Sequence, residues 1–289
     1  MANLKEIRNR ISSVSSTMQI TSAMKMVSAA KLKKAQDAIT AMRPYSEKLT
    51  ELLQNLSATL EENAGGKYSE QREVNKVLVV AITSNRGLAG AFNSNIVKEA
   101  RNLVGNTYAG KQVDFMTLGK KGNDILKKGN TILENNNDIF DNLSFETTSE
   151  IAEKLMQLYS EGTYDKIVLV YNSFKNAATQ IVMTEQYLPI MPAQNIEEAE
   201  PSDTFYLFEP SKEEIVEALI PKSLKTQLFK ALRDSVASEH GARMTAMHKA
   251  TDNATELRDA LKLQYNKARQ AAITNEILEI VGGAEALAG

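Results

Sequence analysis

Two stretches of the chain repeat apolar residues at helical spacing, one at each end, and a stretch of different pattern separates them. Near the N-terminus, Leu4, Ile7, Ile11, Val14 and Met18 fall at alternating intervals of three and four. That is the a/d seam of a coiled-coil helix. The apolar positions then predict a slip of register through Met24 and Val27, followed by Ala35, Ala38 and Met42. Slips of this kind change the supercoil locally. Residues 3–60 hold no glycine, and Pro44 is the one breaker. It predicts a kink, or a boundary near Met42. A helix over residues 3–43 would be roughly 60 Å long.

At the other end, Pro210 and then Ser211, three residues before Glu214, have the form of a capping box that opens a helix. Pro221 predicts a kink in its first turns. Beyond it, Met244, Met247, Thr251, Ala254, Arg258, Leu261, Tyr265, Ala268 and Ala272 keep one 3-4 register until Gly282-Gly283 ends the pattern. Seventy helical residues would span about 105 Å, far more than an ordinary globular helix.

The middle reads differently. Glu61 to Gly66 is a polar break. A buried strand is predicted over residues 74–83, a turn over 84–90 and a helix over 91–103. A strand over 111–118, a helix over 119–128 and a short strand over 131–134 follow. An amphipathic helix over 149–161, strands over 166–171 and 180–188, and an acidic, proline-containing loop over 188–201 complete the segment. Strands alternating with helices predict an open, mostly parallel sheet. The chain therefore divides into an N-terminal helix (1–60), an α/β domain (61–210) and a C-terminal helix (211–289). Neither end helix can bury its seam alone, so the simplest arrangement pairs them as an antiparallel coiled coil.

Composition narrows the chemistry. The chain is 43% hydrophobic and 24% charged, which predicts a folded, soluble protein. It has no cysteine, which excludes disulfides, thiolate metal sites and thiol catalysis. No run approaches the ~20 apolar residues that span a bilayer. The N-terminus has neither the apolar core of a signal peptide nor the look of a transit peptide. These features predict a cytosol-facing chain that meets a membrane only through a partner. The net charge of −2 conceals an asymmetry, because residues 1–43 carry eight basic side chains against two acidic ones. A basic helix of this kind suits an acidic partner; a solvated helix face is the plainer explanation. Nucleic acid fits less well, since aromatic interleaving and a recognisable fold motif are missing.

Candidate catalytic groups are sparse. Thr83 to Asn93 follows a strand and precedes a helix, where phosphates bind in many α/β proteins. Its glycines, Gly87 and Gly90, are three apart and no Gly-Lys-Ser/Thr closes it, so neither common phosphate-loop pattern applies. A tight turn that lets Gly87 and Gly90 pack closely is the alternative. His240 and His248 lie two helical turns apart, too far to share a metal. No serine sits in a nucleophile elbow. No catalytic residue, cofactor or metal site is predicted.

The two ends are more informative. Residues 7–14 read Ile-Arg-Asn-Arg-Ile-Ser-Ser-Val, and residues 17–27 read Thr-Met-Gln-Ile-Thr-Ser-Ala-Met-Lys-Met-Val. Residues 239–247 read Glu-His-Gly-Ala-Arg-Met-Thr-Ala-Met, 250–254 Ala-Thr-Asp-Asn-Ala, and 265–277 Tyr-Asn-Lys-Ala-Arg-Gln-Ala-Ala-Ile-Thr-Asn-Glu-Ile. With the Arg86-Gly87-Leu88-Ala89-Gly90 turn between them, these closely resemble the gamma subunit of F-type ATP synthase over the whole chain.

The resemblance implies an antiparallel coiled coil with a Rossmann-like α/β domain between its helices. It also implies a non-catalytic role as central rotor shaft, coupling ion flow through a membrane ring to ATP synthesis or hydrolysis on β subunits. The implied partners are the α and β subunits, the epsilon subunit and the membrane c-ring. The implied location is peripheral, on the cytoplasmic side of a cell inner membrane. Met24 matches the family's coupling methionine, with Lys25 its neighbour toward β. Arg243, Arg269, Gln270, Thr274 and Glu276 match C-terminal positions linked to coupling and to polar contacts with a β loop. Tyr206 and Glu209 match the foot that faces the membrane ring and epsilon. Lys25 departs from members with an acidic residue there. The lack of a cysteine pair argues against a thiol switch, and the lack of a leader suggests a bacterial-type chain. Two other readings stay open on the residues alone: a nucleotide-binding enzyme with helical arms, and a homodimeric coiled-coil adaptor.

Overall fold

The structure is a computed structural model that describes residues 4–57, 66–190 and 212–288. The element order is α1 (Leu4–Ser57), β1 (Lys76–Ile82), α2 (Phe92–Asn102), β2 (Gln112–Leu118), α3 (Lys120–Leu126), β3 (Thr131–Asn135), α4 (Phe145–Ser160), β4 (Lys166–Phe174), β5 (Gln180–Leu188) and α5 (Lys212–Ala288). The chain forms two compact units, one of residues 1–28 with 243–289 and the other of residues 29–242.

In the first unit α1 and α5 run antiparallel. Arg8 meets Tyr265, Met18 meets Thr255 and Arg258, Thr21 meets Thr251, and Lys25 meets His248. Partner numbers fall as α1 numbers rise, so one register holds throughout. The expected α5 seam is found: Met247, Ala254 and Leu261 are buried, with Met244, Thr251, Arg258, Tyr265 and Ala268 half-buried between them. Ala272 is exposed.

The expected slip in α1 does not occur. Val27 is 57% exposed, whereas Thr21 and Ser28 are buried. The 3-4 spacing runs on from Met18 through Thr21, Lys25 and Ser28, and in the second unit through buried Leu32, Ala35 and Ile39. The seam simply turns polar where the apolar residues leave it. Thr21 Oγ1 lies 2.8 Å from Thr251 Oγ1 and donates to the Met18 carbonyl at 3.1 Å. Ser28 donates to the Met24 carbonyl at 2.7 Å. Satisfied hydroxyls can occupy a seam that bare polar groups could not.

Neither proline ends its helix. α1 continues past Pro44 and α5 through Pro221. An interior proline costs about 3 kcal/mol. Burial of Leu49 after Pro44, and of Ile220 and Leu224 around Pro221, offsets that. The expected Ser211–Glu214 capping box begins outside the described residues. A capping box does open α4, where Ser144 Oγ accepts from the Thr147 N–H and Thr147 Oγ1 from the Ser144 N–H. It starts that helix four residues before the apolar pattern predicted.

In the second unit the sheet order is β3-β2-β1-β4-β5. All pairings are parallel except β4 with β5. β1 is buried on both faces, as a central parallel strand should be. One face (Val77, Val79, Ala81, Val168, Val170) packs against Ile96, Val97 and Ala100 of α2 and Leu126 of α3. The other (Leu78, Val80, Ile82, Leu169) packs against Ala152, Leu155 and Tyr159 of α4 and Leu224, Leu228 and Ala231 of α5. Residues 220–232 of α5 are thus core of the α/β layer, which the sequence reading assigned wholly to a shaft.

Candidate functional site

Doubly wound sheets bind ligands at the carboxyl ends of the strands, where the strand order reverses. Here that point lies between β1 and β4. The Thr83–Asn93 turn leaves β1 there. Ser84 donates its N–H to Asn93 Oδ1 at 2.9 Å, and Asn85 Oδ1 accepts from the Lys120 N–H at 3.0 Å. The Phe92 N–H is donated to the Ala89 carbonyl at 3.2 Å. Leu88 and Gly90 both have positive φ, at 63° and 56°. Gly87 does not, and a Cβ there would meet only Lys121 Cε at 3.8 Å. The turn's tightness therefore comes from Leu88 and Gly90, not from Gly87.

The crevice beside this turn is filled by the chain itself. Asn172 of β4 donates to the Phe92 carbonyl at 3.1 Å, and Ser238 of α5 donates to the Asn172 carbonyl at 3.0 Å. Ala242 packs on Ala89 and Phe92. Gly241 lets α5 approach so closely that a Cβ would lie 3.2 Å from both Cα and O of Ala177. Small residues on α5 thus pack closely against the turn and against Phe174 and Ala177. Among the described residues, no group of three His, Asp or Glu side chains could hold a metal.

The residues singled out by resemblance fall in the first unit, apart from Tyr206 and Glu209, which lie outside the described residues. They form two groups on α5 and its partner. Met24 and Lys25 stand half-buried on α1. Lys25 Nζ is 3.3 Å from His248 Nδ1, and the same Nδ1 is 3.4 Å from Asp252 Oδ2. Arg243, five residues before His248, is buried at 7% exposure. The second group is farther along α5, roughly 30 Å from the level of Lys25 by helical rise. There Arg269, Gln270, Thr274 and Glu276 are all exposed, and Thr274 Oγ1 donates to the Gln270 carbonyl at 2.9 Å. Every classified residue from Arg269 to Ala286 is exposed, including Ile273, Ile277, Leu278 and Ile280. The structure does not bring the two groups together.

Sequence reading missed His248 and Asp252 as neighbours of Lys25. The Arg8–Tyr265 pairing, which sets the register that places Lys25 opposite His248, is seen only in the structure.

A family model described as ATP synthase matches residues 3–287. A Flavobacterium johnsoniae ATP synthase gamma chain is 73% identical over the full length of both chains. The chain belongs to the ATP synthase gamma chain family. Among solved structures, the central stalk/c-ring of Tetrahymena thermophila mitochondrial ATP synthase matches with a TM-score of 0.60 at 27% identity, covering 80% of this chain and 99% of that one. A chain of the Euglena gracilis mitochondrial ATP synthase OSCP/F1/c-ring structure shares the fold, with a TM-score of 0.70 at 22% identity and coverage of 98% and 94%. As a gamma chain, it is a rotor stalk subunit of ATP synthase, and catalysis in the complex is by the β subunits. Among the described residues, no helix is long and apolar enough to cross a membrane.

Proposed function

We propose that the paired helices form a shaft that turns within a ring of α and β subunits, with its foot on the epsilon subunit and the membrane c-ring, on the cytoplasmic side of a cell inner membrane. The observation that carries this is the exposed end of α5. From Arg269 to Ala286, over roughly 30 Å of helix, every described position of α5 is exposed. These positions include Ile273, Ile277, Leu278, Ile280 and Val281, at 48% to 66%. A bare helix with that much apolar surface calls for a surrounding sleeve.

In this reading Met24, Lys25 and Arg243 act as a lower contact with β. Arg269, Gln270, Thr274 and Glu276 act as an upper one, and Tyr206 and Glu209 belong to the foot. Exposed ion pairs are worth about 0–1 kcal/mol each, so contacts of this kind can be broken and remade as the shaft turns. The test is ATP hydrolysis by purified α and β subunits with and without this chain. A chain inactive alone that converts the mixture into a stable, active complex supports the proposal. Failure to assemble with either subunit refutes it.

A further inference from the structure

We infer that His248 positions the Lys25 ammonium and lets it go when the imidazole takes up a proton. The inference rests on the reading of Lys25 as a partner contact. Its geometric basis is one ring nitrogen with two incompatible neighbours. His248 Nδ1 is 3.3 Å from Lys25 Nζ on α1 and 3.4 Å from Asp252 Oδ2, one turn along α5. An ammonium can only donate and a carboxylate can only accept. Nδ1 must therefore carry a lone pair to hold Lys25 and a proton to hold Asp252. It cannot do both at once.

The neutral ring with its proton on Nε2 accepts from Lys25 and fixes the ammonium against the helix pair. The doubly protonated ring donates from Nδ1 to Asp252 and repels Lys25, which swings outward. Histidine is the side chain suited to change charge between pH 5 and 8. Around His248, the charged groups are Lys25 from α1, Asp252 from α5 and the exposed Lys249 next to it in sequence. His248 and Asp252 are each 57% exposed at the side chain, so a proton reaches the ring without opening the seam. Falling pH thus turns a held cation into a free one, at the place where the shaft is read to meet its partner.

The chain has only two histidines, so ¹⁵N-histidine labelling of the full chain gives two ring systems, and His248→Asn identifies one of them. At pH 8 the expected result is the Nε2–H tautomer of His248, shifting toward Nδ1–H in Lys25→Met. A ring that is Nδ1–H in the wild type, or unchanged by Lys25→Met, overturns the inference. In the assembled complex, ion pumping per ATP hydrolysed is compared at pH 8 and pH 6 for the wild type and His248→Asn. Asparagine keeps a pH-independent acceptor near the Nδ1 position. The wild-type ratio is expected to change at least about twofold more than the variant's, the factor that one weak ion pair supplies. A tautomer shift with identical pH profiles would instead overturn the reading of Lys25 as a partner contact.

Discussion

Replacing Gly241 by valine should destabilise the α/β layer by about 2 kcal/mol. Opposing effects meet at this position. Glycine in a helix interior is worse than alanine by about 1 kcal/mol, and valine recovers a few tenths of that. Against this gain stands a clash. The new Cβ would lie 3.2 Å from both Cα and O of Ala177 and 3.5 Å from the Phe174 ring, before the two valine methyls are added. Overpacking of this kind costs about 1–3 kcal/mol.

The obstacle is backbone, and it is tied down. Asn176 Oδ1 accepts from the N–H groups of Ala178 and Thr179 at 3.0 and 2.8 Å, closing the turn that carries Ala177. Sterics should therefore win for valine. Alanine should come out near neutral, within about 1 kcal/mol, because its single methyl needs only a few tenths of an ångström. Thermal unfolding of the purified chain, followed by circular dichroism, should show Gly241→Val lower by about 4–8 °C. Ala177→Gly should not rescue it, because the contact is with Cα and O, not with the alanine methyl. An unchanged midpoint in Gly241→Val, or full rescue by Ala177→Gly, would refute the reasoning.

Thr83→Val should cost about 2–4 kcal/mol in urea unfolding: Thr83 Oγ1 donates to the Gly119 carbonyl at 3.2 Å and accepts from the Gly122 N–H at 2.9 Å, and the variant orphans both in a buried site. An effect below about 0.5 kcal/mol would show that the turn repacks. Lys25→Glu should change ion pumping per ATP hydrolysed by about two- to fivefold, the factor of one weak ion pair, while leaving assembly intact; an unchanged ratio would count against Lys25 as a coupling contact. Stability should also fall in alkali. Burial first, and then hydrogen bonding to Asp114, raises the Tyr164 pKa, and burial raises those of Tyr171 and Tyr187. Phenols that resist ionisation when folded contribute stability that is complete below the unfolded value of about 10 and is lost as pH rises above it. Tyr164→Phe should flatten that decline in a pH series of denaturation midpoints, and an unaltered slope would exclude Tyr164 as a contributor.

Much of this architecture was legible in the chain because it rests on local periodicity. The 3-4 spacing of Met244, Met247, Thr251, Ala254, Arg258 and Leu261 predicted both the helix and its buried stripe, since an antiparallel partner covers whichever stripe is most apolar. β5 was predicted with its observed limits, Gln180–Leu188. The sequence also contained the residues by which the candidate site was read. What it could not decide were matters of partnership between distant residues. Thr21 and Ser28 keep the seam, where apolarity alone favoured Met24 and Val27, because Thr251 and the Met24 carbonyl satisfy their hydroxyls. Residues 220–232 of α5 read as shaft, yet they are core, since an apolar helical stripe does not say whether a helix or a sheet covers it. The crevice at the end of β1 looked able to take a phosphate until Ser238, Gly241 and Ala242 were seen to fill it. Local pattern fixes which face of an element is buried; only the tertiary structure settles what that face is buried against.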